Sequence, residues 1–239
     1  MSRPLKTSCL TKTDNRMTEQ LQSTPQDRAV PNGDSQTKRM AILEQAIRAF
    51  AELGFRGTDV QVIADRAGVG KGTVYRYFGN KQDLFWATTF EVFERLDRYL
   101  DAAMRGIESP ARQLRAACLA YAKFYESQPQ YLELIVQDRA EFRGAAPDDL
   151  RQRHEKMVDH FAEIIDRGVT LGEFRPLDIR KTILSLGGVL YGTVVFGGYS
   201  LGNHTIVEMA EYAVDTFLEG ISAVDTGGES EHKNGETSQ

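Results

Sequence analysis

Residues 54–84 read GFRGTDVQVIADRAGVGKGTVYRYFGNKQDL, and the order of residue types in this stretch specifies three helices joined by two corners. Asp59 is a good N-cap for a short helix from Val60 to Ala67, whose Ile63, Ala64 and Ala67 can share an inward face. The triplet Ala67-Gly68-Val69 makes a tight corner, with Gly68 free to take the left-handed conformation that such a corner needs. A second helix follows at about Lys71–Phe78. Its Val74 and Phe78, four apart, can pack inward, leaving Lys71, Thr73, Tyr75, Arg76 and Tyr77 at or near the outer side. Asn80 caps a third helix, with Lys81 at its first position and Asp83 three residues on, close to a capping box. The unit is a helix-turn-helix over about 59–78. Its second helix displays donors and a β-branched methyl, the groups that base edges and phosphates require.

Outward from this stretch the chain also reads as helix. Ile42, Leu43, Ala46, Ile47, Phe50 and Leu53 recur at three- and four-residue steps before Gly54, which can end a helix at positive φ. Further stripes follow at Leu84, Phe85, Thr88, Val92 and Leu96, and at Leu114, Ala117, Cys118, Tyr121, Phe124 and Tyr125. Pro110, Pro129, Pro147 and Pro176 each stand near an expected helix start, where a missing N–H costs little. No period-two strand or hairpin turn appears, so the fold class is all-α. Residues 1–35 are polar and aperiodic and read as a disordered tail, or as sequence upstream of a true start at Met17. The sharper alternative is a basic arm carrying Arg3, Lys6, Lys12, Arg16 and Arg28. Residues 224–239 read as a second disordered tail.

The 239 residues carry a net charge of −5, with 41% apolar and 26% charged residues. That is an ordinary globular balance and argues against a surface that coats nucleic acid or membrane throughout. Divided by segment, the charge separates. Residues 36–86 hold eight basic and five acidic residues, a net +3, whereas residues 87–223 hold 15 and 21, a net −6. Cys9 and Cys118 form neither a disulfide framework nor a ligand-like spacing. The N-terminal stretch lacks the apolar core of a secretory signal, so a reducing cytoplasm is expected.

The run from Gly54 to Leu84 closely resembles the DNA-binding domain of the TetR family of transcriptional repressors. The matching positions are Gly54, Phe55, Thr58, Val60, Ile63, Ala64, Ala67, Gly68, Val69, Gly72, Thr73, Tyr75, Tyr77, Phe78, Lys81 and Leu84. Asp59 stands where that pattern has Thr or Ser, and Gly70 replaces a frequent Ser before the second helix. Both substitutes are acceptable N-caps. The resemblance covers about residues 36–96 and implies a three-helix DNA-binding domain there, followed by a larger helical effector-binding and dimerisation domain at 97–223. It further implies that Lys71, Gly72, Thr73, Tyr75 and Tyr77 meet double-stranded DNA, with Lys81 and Thr58 on phosphates. Gln61 and Arg76 are further candidates for base edges. The function implied is a homodimeric repressor on a palindromic operator, released by a small-molecule effector.

The remaining sequence adds to this expectation. Thr182–Asn203 carries no charge over 22 residues and contains six glycines. By length it could cross a membrane, but each glycine costs about 1 kcal/mol relative to alanine in a helix. A helix apolar all round also suits the middle of a protein. The expected use is a helix with one face on a second copy and another lining the effector cavity, paired with a last helix at about 205–221, so that 177–221 forms the dimer contact and no membrane is involved. Phe124, Tyr125, Phe142, Phe161, Tyr191 and Tyr199 are the candidate effector-lining residues. His154 and His160 lie six apart and do not share a helix face as zinc ligands at i and i+4 would, and the segment DDLRQRHEKMVDH around them reads as a solvated face, so no metal or other cofactor is expected. No nucleophile–base pairing, metalloprotease motif or phosphate-binding loop is present, so no enzyme is expected. A constitutive DNA-binding protein without effector is the alternative.

Overall fold

A computed structural model of the chain describes residues 33–142, 147–200 and 203–223, with the side chains of 198–200 outside the description. The basic arm, Cys9 and the C-terminal tail therefore lie outside the described residues. Among the described residues the structure is helical: α1 (Gly33–Gly57), α2 (Val60–Arg66), α3 (Lys71–Phe78), α4 (Lys81–Met104), α5 (Pro110–Ser127), α6 (Pro129–Phe142), α7 (Asp148–Thr170), α8 (Ile179–Ser200) and α9 (Ile206–Ile221). The described residues from Lys38 onward belong to one compact unit, separate from the first turn of α1. All that follows concerns that unit.

The caps expected at Asp59 and Asn80 are in place, and α9 has one that was not read from the sequence. The Asp59 side chain accepts the Gln61 N–H, Asn80 accepts that of Asp83, and Thr205 and Glu208 form a reciprocal capping box on α9. Pro110 and Pro129 are the first residues of α5 and α6. Gly68 turns the α2–α3 corner at φ 66°. Gly54 takes φ 73° and a non-helical ψ of 163°, ending the straight run of α1 as expected, and a short turn continues beyond this kink to Gly57.

One apolar core runs from Ile42, Leu43, Ile47 and Phe50 of α1 through Ile63, Val74, Leu84 and Phe85, and on to Tyr125 and Leu134. A second core gathers Leu114, Cys118, Val158, Ile165, Phe174, Leu190 and Val214 from α5, α7, α8, α9 and the loop after α7. The Cys118 thiol is buried there, and burial pushes its pKa up to about 12, so it serves as a small apolar side chain. The expected boundary near 96–97 falls inside α4, a helix that reaches from the helix-turn-helix to α5.

The loop after α7 is seated by Phe174, which is 1% exposed. Its ring lies where a Cβ on Gly168 would be, only 2.2 Å from that position. Gly168→Ala is therefore expected to destabilise the chain by about 1–3 kcal/mol, the usual cost of overpacking. Urea denaturation checks this. Unchanged stability would mean that the Phe174 ring moves aside freely.

Candidate functional site

α3 rests on two anchors, Val74 and Phe78, which are 0% and 7% exposed. With those positions inward, Gly72, Tyr75 and Arg76 are exposed while Lys71, Thr73 and Tyr77 are half-buried. The Tyr77 ring leans on Phe78, and the Arg76 guanidinium lies 5.7 Å over its face. Tyr77 is thus partly a packing residue. Gly70 is extended and offers no side chain to cap the helix. A Cβ added at Gly72 would meet nothing within 4 Å.

Two cations at the edges of this surface are engaged within the protein. Lys71 Nζ donates to Asp59 Oδ1 at 2.8 Å, and the same oxygen accepts the Gln61 N–H at 2.8 Å. The Gln61 amide, followed by Lys71, holds the Asp59 carboxyl below its ordinary range. Lys81 Nζ donates to the Arg56 carbonyl at 3.2 Å and lies 4.9 Å from the Phe55 ring centre. Gln61 donates through Nε2 to Asp65 at 2.7 Å. Both lysines remain on the surface, where a phosphate could exchange for these weak partners.

Thr58 does not occupy the place expected of it. It is 2% exposed, and its hydroxyl donates to the Ala49 and Gly54 carbonyls at 3.1 and 2.7 Å. The side chain ties the kink of α1 to the start of α2 and has no hydroxyl proton left for a phosphate.

In the helical body the candidate effector residues fall into separate groups. Tyr121 and Tyr125 of α5 meet edge to face at 5.0 Å, and Phe124 packs on Tyr131 at 5.1 Å. Tyr191 of α8 joins the same core half-buried, and Phe161 of α7 packs against both cores. Burial, reinforced by neighbouring tyrosines, holds the phenols of Tyr121 and Tyr125 above their ordinary range, so both are neutral donors at physiological pH. Phe142 is placed elsewhere. It sits among Phe55, Phe85 and Trp86 at 5.0–5.4 Å, at the far end of α6 from Tyr131. Tyr199 has its side chain outside the described residues.

Beside the tyrosines runs a groove of about 510 Å³ between α4 and α7, floored by Phe90, Leu100, Met104, Met157 and Phe161. Arg153 enters it with only 11% exposure, paired with Asp97, donating to the Phe93 carbonyl at 2.7 Å and lying 4.6 Å from the Phe93 ring centre. Its Nε has no hydrogen-bond partner among the described residues. The solvated face expected around DDLRQRHEKMVDH is thus corrected at this position. Leu150, Arg153, Met157 and Phe161 form a helical stripe that turns Arg153 inward, and that spacing was the available signal. Tyr121 was available in the same way, four residues before Tyr125.

α6 connects the two regions. Arg95 of α4 donates to Glu44 of α1, to Glu91 at 2.8 Å and to the Tyr131 hydroxyl of α6 at 2.9 Å. Gln137 donates to the Phe50 carbonyl at 2.9 Å, and Arg56 pairs with Glu141 at 2.8 Å. These contacts link α6 to α1 and to the turn that precedes α2.

A last surface feature is apolar. α8 buries Ile183, Leu186, Leu190 and Val194 but leaves Leu184, Val189 and Phe196 at 54%, 42% and 67% exposure, and Tyr212 of α9 is 72% exposed. Ile179–Gly197 is, by length and composition, apolar enough to cross a membrane.

The chain matches known proteins over both regions. A family model described as bacterial regulatory proteins, tetR family, matches residues 42–88, and one described as tetracyclin repressor-like, C-terminal domain, matches residues 108–221. The HTH-type transcriptional repressor KstR2 of Mycobacterium tuberculosis is 31% identical over 156 residues, covering 62% of this chain and 74% of the relative. The fatty acid metabolism regulator protein of Bacillus subtilis is 25% identical over 189 residues, covering 77% and 95%. Among solved structures, the fatty acid degradation regulator FadR from Bacillus halodurans superposes with a TM-score of 0.68 at 19% identity, over 80% of this chain and 97% of that one. FadR from Bacillus subtilis, solved in complex with stearoyl-CoA, superposes with a TM-score of 0.65 at 21% identity, over 77% and 99%. At these identities the two structures establish the fold alone.

Proposed function

The chain belongs to the TetR family of bacterial transcriptional regulators, and from that premise we propose that it is an effector-released repressor acting on a palindromic operator as a homodimer in the cytoplasm. The observation that carries this reading is α3: a helix anchored by two buried side chains that turns Gly72, Thr73, Tyr75 and Arg76 outward on a segment of net +3. Residues 36–96 form the reading head and 97–223 the sensor and dimer body, whose net −5, from 14 basic and 19 acidic residues, is repelled by phosphate and orients the head toward DNA. Lys71, Gly72, Thr73, Tyr75 and Tyr77 meet the groove and its walls, Gln61 and Arg76 lie at its edge, and Lys81 meets phosphate.

The exposed apolar row of α8, with Tyr212 of α9, forms the contact between two copies. A charge-free helix face of this size is suited to a partner. Two copies then place their reading heads one helical turn apart, roughly 34–36 Å. The effector is a largely apolar metabolite bound among Tyr121, Tyr125, Tyr191 and Phe161, with Arg153 as its cationic anchor. An acyl thioester has this chemistry, and a relative of the same fold was solved with stearoyl-CoA. Binding there displaces α6, and the Arg95, Gln137 and Arg56 contacts carry the displacement to α1, shifting the population away from the DNA-competent spacing.

Lys81→Ala tests the electrostatic part of this reading. Removing one phosphate contact is expected to weaken every duplex alike and to flatten the slope of log affinity against log salt by about one. Titrations across a salt series measure both. A loss confined to one base sequence would contradict the phosphate role.

A further inference from the structure

We propose that Asp59 is a built-in attenuator of DNA affinity, its carboxylate occupying the Lys71 ammonium and competing for it with the DNA backbone. The proposal rests on the reading of α3 as the DNA-facing helix. Asp59 caps α2 and Lys71 is the first residue of α3, so the corner between the two helices brings their N-terminal ends within reach of one lysine side chain. The contact, Lys71 Nζ to Asp59 Oδ1 at 2.8 Å, is at the surface, with the two side chains 37% and 64% exposed. A phosphate approaching Lys71 therefore meets the carboxylate as well.

The cap does not need that charge. Ser, Thr or Asn would accept the Gln61 N–H equally well. The negative charge exceeds what the local fold demands, and it stands on the segment that otherwise carries the chain's excess of cations. Exposed ion pairs are weak, so phosphate displaces the carboxylate and is not excluded by it. The consequence is a reading head whose affinity is set below what its cations could deliver. Base contacts, which Asp59 does not touch, then supply a larger share of the binding.

Asp59→Asn separates charge from cap, because asparagine keeps the acceptor and removes the charge. Affinities of the full-length protein are measured across a potassium chloride series for a random-sequence duplex and for the duplex enriched from a random library. The expected result is binding of both duplexes about three- to tenfold tighter at low salt, with the salt slope steeper by about one. The gain is expected to vanish in the Lys71→Gln background, while the melting temperature of Asp59→Asn matches the wild type. A variant that binds no tighter than a DNA-binding wild type overturns the attenuator and leaves the regulator reading intact. A gain that survives Lys71→Gln also overturns it, since the carboxylate would then act without Lys71. A wild type that binds neither duplex overturns the reading of α3 and the attenuator with it.

Discussion

Phe196→Glu is expected to turn a dimer into a monomer at micromolar concentration and to weaken operator binding on the order of a hundredfold. Phe196 is 67% exposed and stands on the same helix as Leu184 and Val189, at 54% and 42% exposure. If that face packs on its own copy, each glutamate is placed near its twin in a dry contact, where two like charges are each left without a partner. The fold of one chain has little at stake, because α8 is held by Ile183, Leu186, Leu190 and Val194 on its other side. The loss on DNA follows from geometry. Two linked reading heads bind with an avidity that exceeds one head by about 10²–10⁴, and a monomer forfeits it. Analytical ultracentrifugation and a titration with the enriched duplex measure the two effects. A variant that stays dimeric would place the contact elsewhere on the surface.

Gly72→Glu is expected to reduce operator affinity by about a hundredfold, equivalent to about 2.7 kcal/mol, without loss of stability. The position is exposed, and a Cβ there meets nothing within 4 Å, so the free protein has room for the new side chain. A carboxylate in the first turn of α3 even complements the helix dipole and replaces a glycine, a poor helix former. The cost arises only on DNA, where a glycine allows close backbone approach and a glutamate presents bulk and negative charge to the phosphates. Circular dichroism melting and DNA titration together make the distinction. A folded variant with wild-type affinity would take the start of α3 away from the DNA.

The helix-turn-helix of the reading head was legible because α2 and α3 are short and their ends are punctuated. Asp59, Gly68 and Asn80 fix the ends of α2, α3 and α4 through local chemistry that needs no tertiary partner, and the structure places each as read. Thr58 was misassigned because a hydroxyl before a helix is equally able to meet a phosphate or a carbonyl. Only the kink at Gly54, which brings the Ala49 and Gly54 carbonyls to it, decides between them. Similarly, Asp59 was legible as a cap but not as the partner of Lys71, since that contact depends on the angle of the corner. Aromatic spacing alone could not sort the body. Phe142 and Phe124 both continue helical stripes, yet one closes the junction with the head and the other packs beside Tyr131. Arg153 shows the converse failure, a charge hidden in a charged segment whose burial follows from the stripe it shares with Leu150, Met157 and Phe161.

The most direct test of the central claim, that a pair of α3 helices reads a palindrome, is enrichment of bound duplexes from a random library by the full-length protein. The expected outcome is an inverted repeat whose half-site centres lie about 10–10.5 base pairs apart, or a multiple of that spacing. Its enrichment should be lost with Gly72→Glu and also with Phe196→Glu. Recovery of no preferred sequence, or of a motif without two-fold symmetry, would contradict it.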